Sequence, residues 1–99
     1  MSKAYCVAHV DVKNADAYAH YIRANADAFA KYGAKFIIRG GMQEQIEGET
    51  RARTVVIEFP DMEMARACYH SPEYQAAKAL REPVSLADLV IVEGYAPSE

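Results

Sequence analysis

Ionisable side chains that could move protons lie in three predicted strands of this 99-residue sequence. Glu58 and Glu93 carry long carboxylates, and His9 carries an imidazole, a group whose unperturbed pKa is about 6.5. Two carboxylates in a shared apolar environment raise the pKa of at least one of them, which gives a proton donor or base near neutral pH. The pattern therefore predicts proton transfer at Glu58 or His9. The alternative is that the carboxylates are solvated at the sheet rim or paired with Arg53 or Arg81.

An arginine beside two glycines, Arg39-Gly40-Gly41, could bind the anionic part of a substrate. Glycines let successive backbone amides point into one concavity, and the guanidinium adds a positive charge. The alternative is a hairpin bulge with Arg39 in a structural ion pair. Tyr69 precedes a predicted helix break, where a cleft could open and the phenol could donate a hydrogen bond, although tyrosines at helical spacing are usually core residues. Glu93 and Arg81 complete the predicted substrate-binding set.

Metal and cofactor chemistry are not predicted. His9, Glu58 and Glu93 could coordinate a metal only through the fold, because no local ligand spacing links them. No phosphate loop, dinucleotide-binding glycine pattern or nucleophile elbow is present. Cys6 and Cys68 form no C-x-x-C pair, and we expect buried thiols in a reducing cytosol.

The composition argues against nucleic acid and membranes as binding partners. The net charge is −3, with basic and acidic residues interleaved, so no basic cluster exists to bind a nucleic acid backbone. No apolar run reaches the roughly 18 residues of a membrane span, and the first residues do not resemble a signal peptide. We expect a cytoplasmic protein whose residues 1–99 form one α+β domain.

Alternation and turn signals predict the order β-α-β-β-α-β, which gives a ferredoxin-like antiparallel sheet in spatial order 4-1-3-2 with the helices on one side. Pairing is also possible for residues 42–47, and a short polar tail follows the last strand. The predicted strands are Ala4–Val12, Lys35–Arg39, Arg53–Phe59 and 88–95. The predicted helices run from an N-cap at Asn14 or Asp16 to Tyr32, from Asp61 to His70, and from Ser71 to a stop at Pro83.

The strands are apolar on both sides of the sheet, which favours a homodimer through the sheet surface. We assume a register in which Tyr5 lies opposite both Glu58 and Glu93. One side of the sheet then carries His9, Glu58 and Glu93, and the other carries no titratable carboxylate or imidazole.

The chain resembles a family of small bacterial proteins catalogued as domain of unknown function thirteen-thirty. The resemblance covers nearly the whole sequence. It rests on H-V-D-V at 9–12, F-I-I-R-G-G at 36–41, E-G at 47–48, V-V-I-E-F-P at 55–60, Y-H-S-P-E-Y-Q at 69–75, Arg81 and V-E-G-Y at 92–95.

This resemblance implies a dimeric α+β barrel, in which two ferredoxin-like sheets pack face to face. Relatives by fold include cofactor-free monooxygenases, haem-degrading enzymes, lactone isomerases and ligand-sensing domains, so the fold does not choose a reaction. In several of them the pocket lies between sheet and helices. By analogy, the side with His9, Glu58 and Glu93 would face the helices, and the apolar side would build the barrel.

Three hypotheses follow. The first is an enzyme that uses proton-transfer, cofactor-free oxygenase or isomerase chemistry on a small acidic or phenolic substrate. Arg39 would hold the anion, Glu58 or His9 would move protons, and Tyr69 would donate a hydrogen bond. The second is a non-catalytic module that binds a small ligand, and the third is a purely structural dimer.

Overall fold

The computed structural model describes residues 2–95, so the predicted polar tail lies outside the described residues. The chain order is the predicted one, including the restart of the helix at Ser71-Pro72, and a short 3₁₀ turn precedes the last strand. The elements are β1 (Ala4–Val12), α1 (Ala15–Lys31), β2 (Lys35–Arg39), β3 (Arg53–Phe59), α2 (Met62–His70), α3 (Pro72–Arg81), the 3₁₀ turn Glu82–Val84 and β4 (Ser85–Glu93).

Each helix begins at a side-chain cap that the sequence predicts. Asn14 accepts a hydrogen bond from the Ala17 amide at 3.1 Å, and Asp61 accepts one from the Met64 amide at 2.8 Å. Ser71 ends α2 and caps α3, with Pro72 at the first helical position, where no amide donor is needed. These caps confirm the predicted helix starts and explain the break between α2 and α3.

The four strands form one antiparallel sheet in the order β2-β3-β1-β4, which confirms the predicted topology. Alternate residues of β1 are buried and half-exposed, as expected where helices cover one side of a sheet. We call the covered side the helix side. Its buried residues in β1 and β3 are Ala4, Cys6, Ala8, Val10, Val55, Ile57 and Phe59.

The opposite side, which no helix covers, is called the open side. It carries the residues of β1 and β3 that alternate with those of the helix side, and the residues of β4 that pair beside them. Several of its apolar side chains are half-buried or exposed in this single chain. Its members are Tyr5, Val7, His9, Asp11, Thr54, Val56, Glu58, Leu86, Asp88, Val90 and Val92, with Lys35 and Ile38 from β2.

The register corrects one prediction. Tyr5 lies opposite Glu58, as predicted, but on β4 it lies opposite Val92, while Glu93 pairs with Ala4. Glu58 and Glu93 are therefore on different sides of the sheet. The prediction fails by one residue because β4 is apolar at consecutive positions and starts at Ser85 rather than Asp88, so its parity could not be read from the sequence.

The assignment of the two sides was also wrong. His9 and Glu58 are on the open side, and the apolar side packs under the helices. Covering small and aliphatic side chains with a helix costs little hydration free energy. A buried carboxylate or imidazole instead needs a partner to offset its lost hydration.

Residues 42–47 form no strand, contrary to the predicted pairing. In this segment Gln43 accepts a hydrogen bond from Thr54 Oγ1 at 2.6 Å and donates one to the Arg51 carbonyl oxygen at 2.9 Å. The Arg51 side chain in turn bridges Asp11 at 2.8 Å and Asp88 at 2.9 Å. Among the helices of residues 2–95, none combines the length and hydrophobicity that a bilayer span requires.

Candidate ligand pocket between the sheet and the helices

A cavity of about 50 Å³ lies between the helix side of the sheet and the helices. A single water needs about 10–15 Å³ of such space, so the cavity admits a ligand of only a few heavy atoms without movement of its walls. Most of its lining is apolar. The strand residues that form this lining include Cys6, Ala8, Val55, Ile57, Leu89 and Ile91.

Two helices supply polar groups to this pocket through their helical spacing. Tyr18, Tyr21 and Asn25 are three and four residues apart on α1, so they lie along one stripe of that helix. Tyr74 and Arg81, seven residues apart, lie on one stripe of α3. The buried stripes of α1 and α3 therefore bring an amide, three phenols and a guanidinium to the same cavity.

Tyr21 and Tyr74 join the two helices at the pocket. Their phenol oxygens are 2.9 Å apart, and their rings meet edge to face at 6.3 Å. Burial, followed by the neighbouring Tyr74 phenol, raises the pKa of Tyr21, and the nearby Asn25 side chain opposes part of this rise. Burial also raises the pKa of Tyr74 and of Tyr18. These phenols stay protonated at neutral pH and act as hydrogen-bonding groups rather than bases.

Arg81 brings a positive charge into this apolar environment. The residue is only 8 % exposed, and its guanidinium carbon lies 5.7 Å from the centre of the Tyr21 ring. Within residues 2–95 no carboxylate forms an ion pair with Arg81, and none lines the pocket. A buried cation without a counter-ion is costly, so this site favours an anion.

Arg53 and Arg39 lie at the β2–β3 side of the pocket. The Arg53 guanidinium carbon is 5.8 Å from the centre of the Tyr18 ring, and the Arg53 Nε is buried with no hydrogen-bond partner among the described residues. The Arg39 guanidinium carbon lies 3.9 Å from the centre of the Phe36 ring. Both arginines add to the positive charge that faces the cavity.

The predicted anion site at Gly40 and Gly41 is not part of this pocket. The Gly40 amide donates to the Thr54 carbonyl oxygen at 2.9 Å, so it is not free to bind an anion, and neither glycine lines the pocket. Gly40 has another role. Its φ is +72°, and a Cβ there would lie 2.6 Å from the guanidinium carbon of Arg53. Gly40 thus allows the turn after β2 and leaves room for Arg53.

The predicted proton-transfer residues lie away from this pocket. Glu58 is 3.4 Å from Lys3 and 3.5 Å from the Tyr5 phenol, and His9 Nδ1 is 3.1 Å from Thr54 Oγ1. Glu93 is exposed at the end of β4. The predicted convergence of Glu58 and Glu93 above Tyr5 is therefore wrong, because the two carboxylates emerge on different sides.

Of the predicted site residues, Arg39, Tyr69 and Arg81 do line the pocket. Tyr69 stacks obliquely on Tyr74, with ring centres 5.4 Å apart, next to the helix break. Sequence reasoning missed Asn25 as a pocket residue. A signal was available, because Asn25 is an amide inside the stripe that otherwise carries the large buried side chains of α1.

The pocket contains no activated nucleophile or metal cluster among the described residues. Burial raises the pKa of Cys6 to about 11 and that of Cys68 to about 12, so both thiols are protonated at neutral pH. Both are free and buried, in agreement with the sequence. No group of three or more His, Cys, Asp or Glu side chains within residues 2–95 is placed to hold a metal ion.

Comparison with known proteins gives a family and a fold. The family model described as Domain of unknown function (DUF1330) matches residues 3–95. No curated protein sequence matches the chain.

Three solved structures illustrate the fold. The RPA0582 protein of unknown function from Rhodopseudomonas palustris is 19% identical, with a TM-score of 0.78 over 97% of this chain and 85% of that one. SnoaB, a cofactor-independent oxygenase from Streptomyces nogalater, is 12% identical, with a TM-score of 0.66 over 97% and 96%. An ethyl tert-butyl ether d (ethd) family protein from Bacillus halodurans is 16% identical, with a TM-score of 0.59 over 96% and 100%. At these identities the likeness establishes the ferredoxin-like fold and not an activity.

Proposed function

We propose that this chain, which belongs to the family described as Domain of unknown function (DUF1330), binds a small organic anion in the pocket between sheet and helices. The observation that carries the proposal is Arg81, a guanidinium that is 8 % exposed and has no carboxylate partner among residues 2–95. A bound carboxylate, enolate or phenolate would supply the missing counter-charge.

The groups around Arg81 support the same class of ligand. The phenols of Tyr21, Tyr74 and Tyr69 can donate hydrogen bonds to an oxygen anion, and Arg39 adds charge from β2. The apolar remainder of the lining favours a short hydrocarbon or aromatic body. The cavity volume of about 50 Å³ limits that body to a few heavy atoms unless side chains rearrange.

Arg81→Met tests this proposal, with Arg66→Met on the exposed surface of α2 as the matched control. Propionate and its neutral analogue propionamide serve as probes in a buffer free of other carboxylates and of phosphate. We expect propionate to raise the melting temperature of wild-type and Arg66→Met protein, because a ligand that binds only the folded state stabilises it. Propionamide should have no such effect, and Arg81→Met should respond to neither. Equal responses to both probes would contradict the proposal.

A second candidate is cofactor-free oxygenation of such an anion. Arg81 would stabilise the substrate as an enolate or phenolate, and the apolar lining would admit molecular oxygen as the oxidant. Two observations favour it: among the described residues the pocket contains donors and cations but no carboxylate or imidazole, and SnoaB, a cofactor-independent oxygenase, has the same fold. The substrate would have to ionise readily by itself, since Glu58 and His9 lie on the open side. Oxygen uptake with small phenols and enols, lost in Arg81→Met, is the expected result.

A homodimer through the open side is part of the proposal. Four strands about 4.8 Å apart and up to about 30 Å long offer roughly 500 Å² per chain in projection. Two copies would then bury about 1,000 Å² or more, near the lower end of standard interfaces. The apolar residues Val7, Val56, Val90 and Ile38 would form its centre.

Charged groups border this apolar centre, as at many protein interfaces. They include the Lys3–Glu58 pair and the Arg51–Asp11–Asp88 cluster.

The dimer is tested by sedimentation velocity over a dilution series. Val90→Lys places a charge on the open side and should yield monomers at concentrations where the wild type sediments as a dimer. Leu80→Lys, a similarly exposed apolar position on α3, is the control and should sediment like the wild type. A wild type that remains monomeric at high concentration would refute the homodimer.

A further inference from the structure

Within residues 2–95, the side chain of Asn25 lacks a hydrogen-bond donor for its oxygen inside the pocket. Asn25 is 3 % exposed, and its Oδ1 is buried without a hydrogen-bond partner among the described residues. It sits in the stripe of α1 that faces the cavity. Buried carbonyl oxygens are rarely left unpaired, and an unpaired one in a polar cavity marks the place of a missing donor. Asn25 therefore points to a ligand atom that carries a hydrogen.

The neighbouring groups require the opposite polarity. Guanidinium groups donate and cannot accept, so the unpartnered Arg53 Nε needs an acceptor on the ligand. Arg81 already has the Tyr21 and Tyr74 phenols beside it, and its positive charge favours an anionic acceptor. Phenols can do either. The site thus combines three arginines with one acceptor, Asn25 Oδ1, that lacks a donor in the described part of the chain. A carboxylate without a hydroxyl group would neutralise the positive charge but would leave Asn25 Oδ1 without a hydrogen bond.

We propose that the ligand is a small hydroxy acid or the equivalent enol, with an anionic oxygen for Arg81 and a neighbouring O–H that donates to Asn25 Oδ1. This inference rests on the anion binding proposed above and adds the donor. The two residues flank one phenol: Asn25 follows Tyr21 by one helical turn, and the Arg81 guanidinium lies 5.7 Å from the Tyr21 ring centre. A ligand of a few heavy atoms in the cavity of about 50 Å³ can therefore meet both groups.

Glycolate and propionate are the probes, because they share a carboxylate and nearly the same volume and differ by O–H against CH₃. Affinity is measured by titration of the wild-type protein followed by amide chemical shifts. We expect glycolate to bind at least about fivefold more tightly, since propionate would leave the Asn25 oxygen unpaired. In Asn25→Leu the order should reverse, because the donor loses its acceptor and the methyl group gains an apolar neighbour.

Ala26→Leu introduces the same side chain on the exposed side of α1 and should keep the wild-type preference for glycolate. Binding of both acids with equal affinity to the wild type would overturn the hydroxy-acid inference while leaving anion binding intact. Binding of neither acid would overturn the anion proposal itself. Retention of the glycolate preference in Asn25→Leu would overturn the role of Asn25. The wild-type comparison stands even if Asn25→Leu fails to fold.

Discussion

The two sides of the sheet share the same strands and differ in almost everything else. On β1 the helix side carries Ala4, Cys6, Ala8 and Val10, all buried, while the alternating open-side positions include Tyr5, His9 and Asp11. The helix side borders a cavity with fixed positive charge and neutral phenols. The open side carries Asp11, Glu58, Asp88 and His9 but is a surface without a helix above it.

This difference separates two kinds of chemistry. Carboxylates and imidazoles are the usual means of proton transfer, yet among the described residues none lines the cavity, and His9 and Glu58 lie across the sheet from it. The cavity holds groups whose protonation does not change near neutral pH, which suits binding of a ligand that is already ionised. The comparison therefore favours anion binding over general acid–base catalysis in the pocket.

The largest expected effect comes from removing packing on the helix side. Ile57 is 5 % exposed, and Ile57→Ala should lower the free energy of unfolding by about 2–5 kcal/mol, measured by urea denaturation. Val90 on the open side is 58 % exposed, and Val90→Ala should lower the free energy of unfolding only at protein concentrations where two chains associate. A loss in Val90→Ala that does not change with protein concentration would contradict the division between the two sides.

Arg81→Met should not lower the free energy of unfolding, in contrast to Ile57→Ala. Methionine keeps most of the apolar stem while removing a buried charge that has no carboxylate partner within residues 2–95. We expect the free energy of unfolding without ligand to stay the same or rise by up to about 4 kcal/mol, even though anion binding is lost. A loss of several kcal/mol would mean that Arg81 is structural, and the main argument for a binding pocket would fail.

The glycine pair after β2 offers a smaller, matched test. Gly40→Ala must adopt a positive φ and push against the Arg53 guanidinium, and should cost about 1–3 kcal/mol of unfolding free energy. A Cβ added at Gly41 would meet no heavy atom within 4 Å, so Gly41→Ala should change stability by less than about 0.5 kcal/mol. Similar losses in both variants would contradict a cost that arises from the positive φ of Gly40 and its contact with Arg53.

The sequence predicted the fold well because caps and turn residues act locally. Asn14, Asp61 and Ser71-Pro72 each define a helix end, and their hydrogen bonds are formed within a few residues. The pairing of β4 depends on distant partners, and its consecutive apolar residues conceal which side each faces. The pocket was predicted only in part: Arg39, Tyr69 and Arg81 were among the predicted site residues, but Asn25 was not, although its place in the buried stripe of α1 was a signal.

The smallest expected effect is an acid-sensitive contact on the open side. The pKa of Asp11 is held below its ordinary value of 3.8, first by the hydrogen bond from the Ala52 amide at 3.1 Å and then by Arg51. Because the folded-state pKa is the lower one, the stabilisation is complete above pH 3.8 and is lost as the pH falls through the folded value.

We expect the Ala52 amide resonance to shift with this titration while resonances on the helix side stay unchanged. Asp11→Asn should abolish the shift, because asparagine does not titrate. A simultaneous change at Ile57 would mean that the two sides of the sheet respond to acid as one unit. The contact is solvent-exposed, so added salt should weaken it.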